Sequence, residues 1–521
     1  MTVHLSVVIF LPLAAALIAL ILPRRLTAPL VFSATLGVLG YAIALIADFD
    51  AASGALQYVT DAAWISELGV RYSLGVDGLN LFLIALTALL WVVATFAASL
   101  RTWERPRLFF FHLALAETAV LGAFCAQDLI LFVVFFDLML VPFYFLIGCW
   151  GDGQRVYATT KFVIYTLVGS LLMLAGAVAI GVLSEAPDLP AAAQALAGVS
   201  APGGSRLSFS LADLQARTLP AGTQQWIFLL FAAAFLVKAP AFPFHGWMPD
   251  AYRATPLPVL VLLSAVLSKV GVYGFLRVVL PILPEASLHF QDLMLVIAVV
   301  SIIYGSVLAF SQDEARLVVG YSSIAQLGFI TLGIFSLDPK GAQGAVMQMV
   351  THGLVTAALF LIIAALALRA GGSESLARWG GTALRAPVLA TLFLIVALAT
   401  LAMPGSPNFV GELLILFGTF EDKLVYGIVA SVGVVLAAVY TIRLFQRAMH
   451  NRVAPDVESR DLSLGELATL APLVAVIVGL GAYPQLVLKR SEQATTARVE
   501  QASKLAHRTA RTAAFNIDRR W

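Results

Sequence analysis

The chain has 521 residues, 60% of them hydrophobic and only 12% charged, with a mean hydropathy of +0.92. A soluble domain carries roughly 25% charged residues, so this composition excludes a protein that meets water over most of its surface. The net charge of +2 implies neither a nucleic-acid nor a strongly acidic partner.

Apolar runs long enough to cross a bilayer, about 20 residues each, recur along the whole chain. They fall at roughly 3–22, 28–48, 78–100, 107–125, 127–149, 160–184, 225–245, 256–280, 290–310, 316–336, 342–369, 386–418, 424–448 and 464–487. The fold class expected is therefore an all-α polytopic membrane protein with about 14 transmembrane helices. The first run lacks a basic leader and a small-residue exit, so it reads as retained rather than cleaved. The long gaps are 49–77 and 185–224, and the second, rich in Pro, Gly, Ser and Ala, reads as an extramembrane hairpin or loop.

Charge in the short loops gives an orientation. Sixteen basic residues, from Arg24 and Arg25 through Arg101, Arg155, Lys161, Arg253, Arg316 and Arg369 to Arg460, collect on one side. Positive-inside logic puts that side in the cytoplasm and both termini outside, in the plasma membrane of a bacterium. The basic tail after Leu488 opposes this, and the distributed charges are given more weight. Cys125 and Cys149 have no metal or redox spacing and read as packing residues. No nucleotide-binding, CxxC or HExxH motif occurs, so no cofactor or metal is expected in this chain.

Against this background Glu117, Asp137, Lys238, Lys269, His352 and Glu412 fall well inside expected helices. A charge at a helix centre costs about 2.5–3.5 kcal/mol on insertion scales, so such groups pair, are hydrated, or work. The chain has 7 lysines against 25 arginines. Arginine stays charged inside proteins, whereas a desolvated lysine can release its proton. Lys238 and Lys269 therefore read as chosen for titration, and the bland alternative is that they neutralise buried carboxylates.

Two helices are broken by proline beside such charges. Lys238 precedes Pro240 and Pro243, and Glu412 follows Pro404 and Pro407. Proline removes a backbone donor, and unpaired backbone at membrane depth needs protein or water partners. The breaks fall in the seventh and twelfth helices. If helices 4–8 and 9–13 are repeats, each break lies in the fourth member, and five-helix repeats are inverted. Paired broken helices in inverted repeats point to an ion site.

His352 is mid-helix and suits proton relay, with a core histidine bonded to a carbonyl as the alternative. His245, beside Trp247, reads as interfacial. Lys161 is explained by snorkelling. Glu117 is a partner for Asp137 or an entry acid, and Asp128 is solvated or a helix cap.

Ordered blocks along almost the whole chain resemble antiporter-like subunit M of bacterial proton-pumping NADH:quinone oxidoreductase, respiratory complex I. They include GVDGLNLF at 75–82, DLILFVVFFDLMLVPFYFLIGCWG at 128–151, KFVIYTLVGSLLMLAG at 161–176 and KAPAFPFHGWMPDAY at 238–252. SKVGVYGFLR at 268–277, YSSIAQLGF at 321–329, QMVTHGL at 348–354, PGSPNFVGELLILFG at 404–418 and DLSLGELATLAPL at 461–473 complete the set.

The resemblance implies that Asp137 stands where the family usually has glutamate, paired with the lysine matching Lys238. Lys269 matches a central lysine, His352 a relay histidine and Glu412 the terminal acid of a polar axis. Gln326 stands where histidine is frequent, so a relay there would run through water and hydroxyls such as Ser322 and Ser323. The implied mechanism loads Lys269 from the cytoplasm, passes the proton by His352 to Glu412, and uses Asp137 and Lys238 as a switch driven by quinone reduction in partner subunits.

Flavin mononucleotide (FMN), iron–sulfur clusters and quinone are expected in those partners, and sister antiporter-like subunits, lipid, protons and water around this chain. The expected divisions are 1–106, 107–280 and 281–450 for the leading helices and two repeats, then 451–521 for a last helix and polar tail. Alternatives are a subunit of a multisubunit sodium/proton antiporter, a ferredoxin-linked complex, or a scaffold without transport.

Overall fold

The computed structural model describes residues 4–184, 207–451, 457, 458 and 460–518, with side chains through Leu505. Twelve helices among them are long and apolar enough to cross a membrane, and two shorter apolar ones, Leu5–Ile21 and Pro387–Thr400, accompany them. The protein is an integral membrane protein. In chain order the main helices are α1 (Leu5–Ile21), α2 (Arg24–Asp48), α3 (Leu81–Ser99), α4 (Pro106–Cys125), α5 (Leu129–Trp150) and α6 (Arg155–Leu183). There follow α7 (Leu211–Ala216), α8 (Ala221–Lys238), α9 (Met248–Ala254), α10 (Leu257–Ile282), α11 (Pro284–His289), α12 (Gln291–Ser311) and α13 (Ala315–Phe335). The last are α14 (Pro339–Arg369), α15 (Pro387–Thr400), α16 (Pro407–Asp422), α17 (Leu424–Met449), α18 (Leu464–Ala482) and α19 (Gln485–Asp518).

Helices α10, α13 and α14 form the centre, with their apolar windows 94–100% buried, while α2, α17 and α18 bury only 33%. A helix apolar all round and fully enclosed belongs to a bundle core, and one apolar all round but exposed faces lipid.

The gap at 49–77 holds an antiparallel hairpin, β1 (Gln57–Ile65) and β2 (Val70–Val76), which hydropathy left unassigned. Arg71 clamps Asp61 across it with two bonds of 2.8 and 2.7 Å. Residues 185–206 of the expected second loop lie outside the described residues, and its remainder contains α7.

The expected polar tail is instead the 34-residue helix α19, and the last membrane helix ends at Ala482 rather than 487. Hydropathy windows miss α19 because its apolar residues line one face only. It lies against the hairpin side of the bundle. Gly78 admits it: a Cβ there would sit 1.9 Å from the Arg490 carbonyl. Cys149 also departs from expectation, being exposed rather than packed, whereas Cys125 is buried.

Buried arginines staple the two ends. At the hairpin end Arg277 of α10 holds Asp77 through bonds of 2.7 and 2.8 Å, and its Nε donates to the Tyr273 hydroxyl. Arg498 of α19 adds a 3.5 Å contact to the same carboxylate. Burial alone would push the Asp77 carboxyl up, but the Arg277 and Arg498 charges hold it down at about 2. At the opposite end Arg316 donates to the carbonyls of Tyr252, Arg253 and Thr255 at 2.8–3.0 Å and pairs with Glu374. Arg369 ties the end of α14 to Glu466 at the start of α18.

Removing one member of a buried pair leaves an unpaired charge, which costs about 3–5 kcal/mol. Asp77→Ala is therefore expected to lower thermal stability in detergent by that order, whereas Arg498→Ala, which leaves the Arg277 pair intact, costs far less. A thermal-melting assay on both variants measures the difference.

Candidate functional site

Asp137, Lys238 and Glu412 lie at helix interruptions beside prolines, and Lys269 follows a π turn, whereas Glu117, Gln326, Gln348 and His352 are on unbroken helices. Pro240 has no N–H, so the Leu236 carbonyl four residues earlier loses its donor; it accepts instead from the Ala241 amide at 3.1 Å. The Val237 carbonyl, freed in turn, accepts from the Trp247 indole at 2.9 Å. Helix α8 therefore ends at Lys238, whose ammonium is buried, donates to the Phe136 carbonyl at 3.1 Å and lies 4.2 Å from the centre of the Phe136 ring.

That carbonyl belongs to a further irregular helix. In α5 the regular turn is interrupted at Met139, three residues before Pro142, and the Met139 amide donates to the Phe135 carbonyl at 3.3 Å. The half-buried Asp137 sits at this interruption, with Ser170 of α6 and Lys238 as polar neighbours. Its carboxylate does not come within 4.0 Å of Lys238, and Oδ1 has no hydrogen-bond partner. The cation of Lys238 is thus held by a carbonyl dipole and an aromatic face rather than by a closed ion pair.

Helix α10 contains two π-helical turns, Leu263–Leu267 and Phe275–Val279, of the kind that recurs at functional sites. Lys269 follows the first. It is fully buried, and its ammonium donates to the Ser264 carbonyl at 3.1 Å and the Ser268 hydroxyl at 3.3 Å, with no carboxylate in ion-pair range.

His352 of α14 is near enough to Lys269 to sense its charge, on a stretch where α14 packs closely on α10: a Cβ on the adjacent Gly353 would lie 3.0 Å from the Ala265 carbonyl. The His352 Nε2 shares a 2.9 Å hydrogen bond with the Thr356 hydroxyl, and Nδ1 is unpartnered. One turn earlier on the same face is Gln348, since residues four apart stack on a helix. Its amide donates to the Gln326 side-chain oxygen at 2.6 Å and to Glu412 at 3.4 Å, and Gln326 donates to Glu412 at 2.8 Å. The second carboxylate oxygen of Glu412 has no partner.

Glu412 stands just beyond the second proline break. That break leaves α15 and α16 as separate helices and places Ala402 (φ +53°) and Gly405 (φ +95°) in left-handed conformations. Gly344 and Gly411 let α14 and α16 meet backbone to backbone: a Cβ on Gly411 would lie 2.5 Å from Gln348 Oε1.

The structure therefore brings Asp137 to Lys238, Lys269 to His352, and Gln326 to Glu412. Gln348, which joins the last two groups, was missed by reading charges alone; its spacing from His352 in QMVTHGL was the available signal. Ser322 and Ser323 donate to the Val319 carbonyl of their own helix.

Glu117 is fully buried with both carboxylate oxygens unpartnered, so it is not bonded to Asp137. His245 is buried, 3.2 Å from the Tyr304 hydroxyl. Lys161 does not simply snorkel; it pairs with Asp250 at 2.7 Å. Asp128 is the N-cap of α5 and also accepts from the Arg71 amide. Among the described residues no His, Cys, Asp and Glu group has a metal-ligand arrangement.

Residues 126–437 match the family described as NADH:quinone oxidoreductase/Mrp antiporter, transmembrane. The chain belongs to that family. It is 35% identical over 495 residues to NADH-quinone oxidoreductase subunit M of Rhodobacter capsulatus, covering 93% of this chain and 94% of that protein. The subunit M of Mycobacterium tuberculosis H37Rv is 37% identical over 523 residues, covering 93% and 92%. Among solved structures, a chain of respiratory complex I from Thermus thermophilus with bound NADH superposes with a TM-score of 0.84 at 29% identity, covering 96% of this chain and 99% of that one. A chain of the Mrp complex from Dietzia sp. DQ12-45-1b, at 21% identity and a TM-score of 0.80 over 96% and 99%, shares the fold.

The gap between Asp137 and Lys238 makes the acid's length testable. Asp137→Glu, which adds a methylene toward the ammonium, is expected to keep proton translocation near the parent level. Asp137→Asn, which removes the charge, is expected to lose most of it. Acid-pulse measurement of protons moved per electron, in membranes with matched amounts of assembled complex, distinguishes the two.

Proposed function

We propose that this chain is the proton-translocating, antiporter-like M subunit of an NADH:quinone oxidoreductase membrane arm, moving protons through Asp137, Lys238, Lys269, His352 and Glu412. The observation that carries the reading is Lys269: a fully buried lysine with no carboxylate partner, beside a π turn and near His352. A structural cation would be expected to have a counter-charge, as Arg277 has.

In this reading Lys269 accepts a proton through water from the arginine-rich end, which faces the cytoplasm, with both termini on the other side. The proton moves to His352, whose free Nδ1 is available to bind it. It then moves through water ordered by Gln348 and Gln326 to Glu412. Lys238 controls this step electrostatically. A charged Lys238 disfavours a second positive charge on Lys269, and closure of Asp137 onto Lys238 relieves that repulsion. The interruptions at Lys238 and Glu412, each in the fourth helix of its five, support two inverted repeats spanning 107–280 and 281–450. His245, Ser322, Ser323 and Glu117 are accessory to this path.

The redox step belongs to partner subunits, where FMN, iron–sulfur clusters and quinone are held. Sister antiporter-like subunits lie beside this chain in the membrane arm. Subunit M relatives across nearly the full length support this assignment over a stand-alone antiporter, for which the likeness extends to the fold.

The test is a set of Lys269 substitutions. Lys269→Arg keeps the charge but cannot give up a proton, and Lys269→Gln is near lysine in size but neutral. A relay predicts that both assemble on native gels and both lose most proton translocation relative to electron transfer. A counter-charge predicts that only Gln fails. Overpacking by Arg, worth about 1–3 kcal/mol, is monitored by the melting temperature.

A further inference from the structure

Glu412 has a neighbour that the row of charges does not include. Tyr440 of α17, a helix packed on both α13 and α16, is 2% exposed, and its hydroxyl lies near Ser322, Gln326 and Glu412 with no hydrogen-bond partner within 3.5 Å. Buried tyrosine hydroxyls ordinarily find a partner. Two more unpartnered acceptors share this junction: Oε2 of Glu412 and, one turn before it on the same face, Oδ1 of Asn408. A buried group of donors and acceptors that do not bond to one another is a site for ordered water.

The direction of this cluster is set by the helices. Helix α17 ends at Met449 and α13 starts at Ala315, both at the arginine-rich end where Arg443 and Arg316 make their contacts. At 1.5 Å of rise per residue, Tyr440 and Ser322 are each roughly 10–14 Å from that end, and Gln326 is about one turn deeper. Asn408 is likewise nearer that end than Glu412, because α16 runs away from it. The hydroxyls therefore stand between Glu412 and the arginine-rich end, whereas the amides of Gln326 and Gln348 stand between Glu412 and His352.

We propose that Tyr440, with Ser322, is a proton-relay residue giving Glu412 a second route, toward the arginine-rich end, separate from the central row through His352. The hydroxyl passes its own proton to one neighbour while taking another from the water on its other side. The O–H bond that breaks is replaced by the one that forms, and tyrosine remains neutral throughout. Gln326 cannot do this, since an amide orders water but does not exchange a proton at useful rates. The proposal rests on the reading of Glu412 as a proton carrier.

The experiment uses the assembled complex in vesicles, comparing Tyr440→Phe, Ser322→Ala, the double variant and Glu412→Gln. Tyr440→Phe deletes one oxygen and keeps the ring, so packing is preserved. The expected result is a loss of protons moved per electron on the order of ten-fold, smaller than the roughly 10²–10⁴-fold that a positioned proton-transfer group contributes to a single step. The double variant is expected to do no worse, because both hydroxyls serve one route. The infrared carboxyl band that Glu412→Gln abolishes is expected to shift in Tyr440→Phe, which a distant packing role would not produce.

Normal translocation in Tyr440→Phe with loss in Glu412→Gln would overturn the Tyr440 route while leaving Glu412 as a carrier. Normal translocation in Glu412→Gln would overturn the reading on which the route rests. If Tyr440→Phe fails to assemble, Ser322→Ala alone decides: unchanged translocation and an unmoved carboxyl band would sink the route.

Discussion

A helix crossing hydrocarbon must satisfy every backbone amide and carbonyl within itself or against other protein. This chain interrupts that pairing where it places ionisable side chains. Pro142, Pro240 and the Pro404–Pro407 segment lie within a few residues of Asp137, Lys238 and Glu412, and a π turn precedes Lys269. The carbonyls around the interruptions are the partners that a buried ammonium needs. Lys238 takes the Phe136 carbonyl and Lys269 the Ser264 carbonyl. The charges and the irregular backbone are thus one feature, since each supplies what the other lacks in a solvent without hydrogen bonds.

The two kinds of cation are used differently. Arg277, Arg316 and Arg369 each hold a carboxylate together with side-chain or backbone oxygens, and they lie toward the ends of the bundle. The planar guanidinium suits such many-sided contacts and stays protonated through them. Lys161, Lys340 and Lys423 also pair with acids, but where water reaches them. Lys238 and Lys269, the two buried lysines among the described residues, have no carboxylate in ion-pair range, so the protein commits no fixed counter-charge to them. A cation fixed in a tight ion pair would have little freedom to lose its charge.

Much of this was legible in the sequence. The apolar runs located the membrane helices, because hydropathy and length are the properties the bilayer selects, and the prolines beside Lys238 and Glu412 marked two interruptions. The break in α5 was passed over: Pro142 lies inside an apolar run, and its effect reaches Asp137 only through the turn before it. The π turns in α10 leave no composition signal. The Asp77–Arg277 pair joins residues 200 positions apart, so nothing local announces it, and α19 is too polar on average to register as a membrane element. Gln348 was overlooked because the reading followed charge, while the structure completes the row with neutral amides.

Those amides define how the row works. Between His352 and Glu412 the side chains in contact are Gln348 and Gln326, which hold each other and the carboxylate but cannot themselves carry a charge. In the proposed path, a proton crossing that stretch would move along water ordered by the two amides. Gln348 also lies where α14 and α16 approach at Gly344 and Gly411, and a Cβ on Gly411 would lie 2.5 Å from its Oε1. The glycines therefore help to place Gln348 in the row, even though they have no side chain in it. Titratable groups at the two ends with an ordered, uncharged stretch between them resist leakage, because a proton in transit finds no stable resting place midway. In the proposed path, loading at His352 and release from Glu412 would then be separate events, and a change at Lys238 would have a defined step to control.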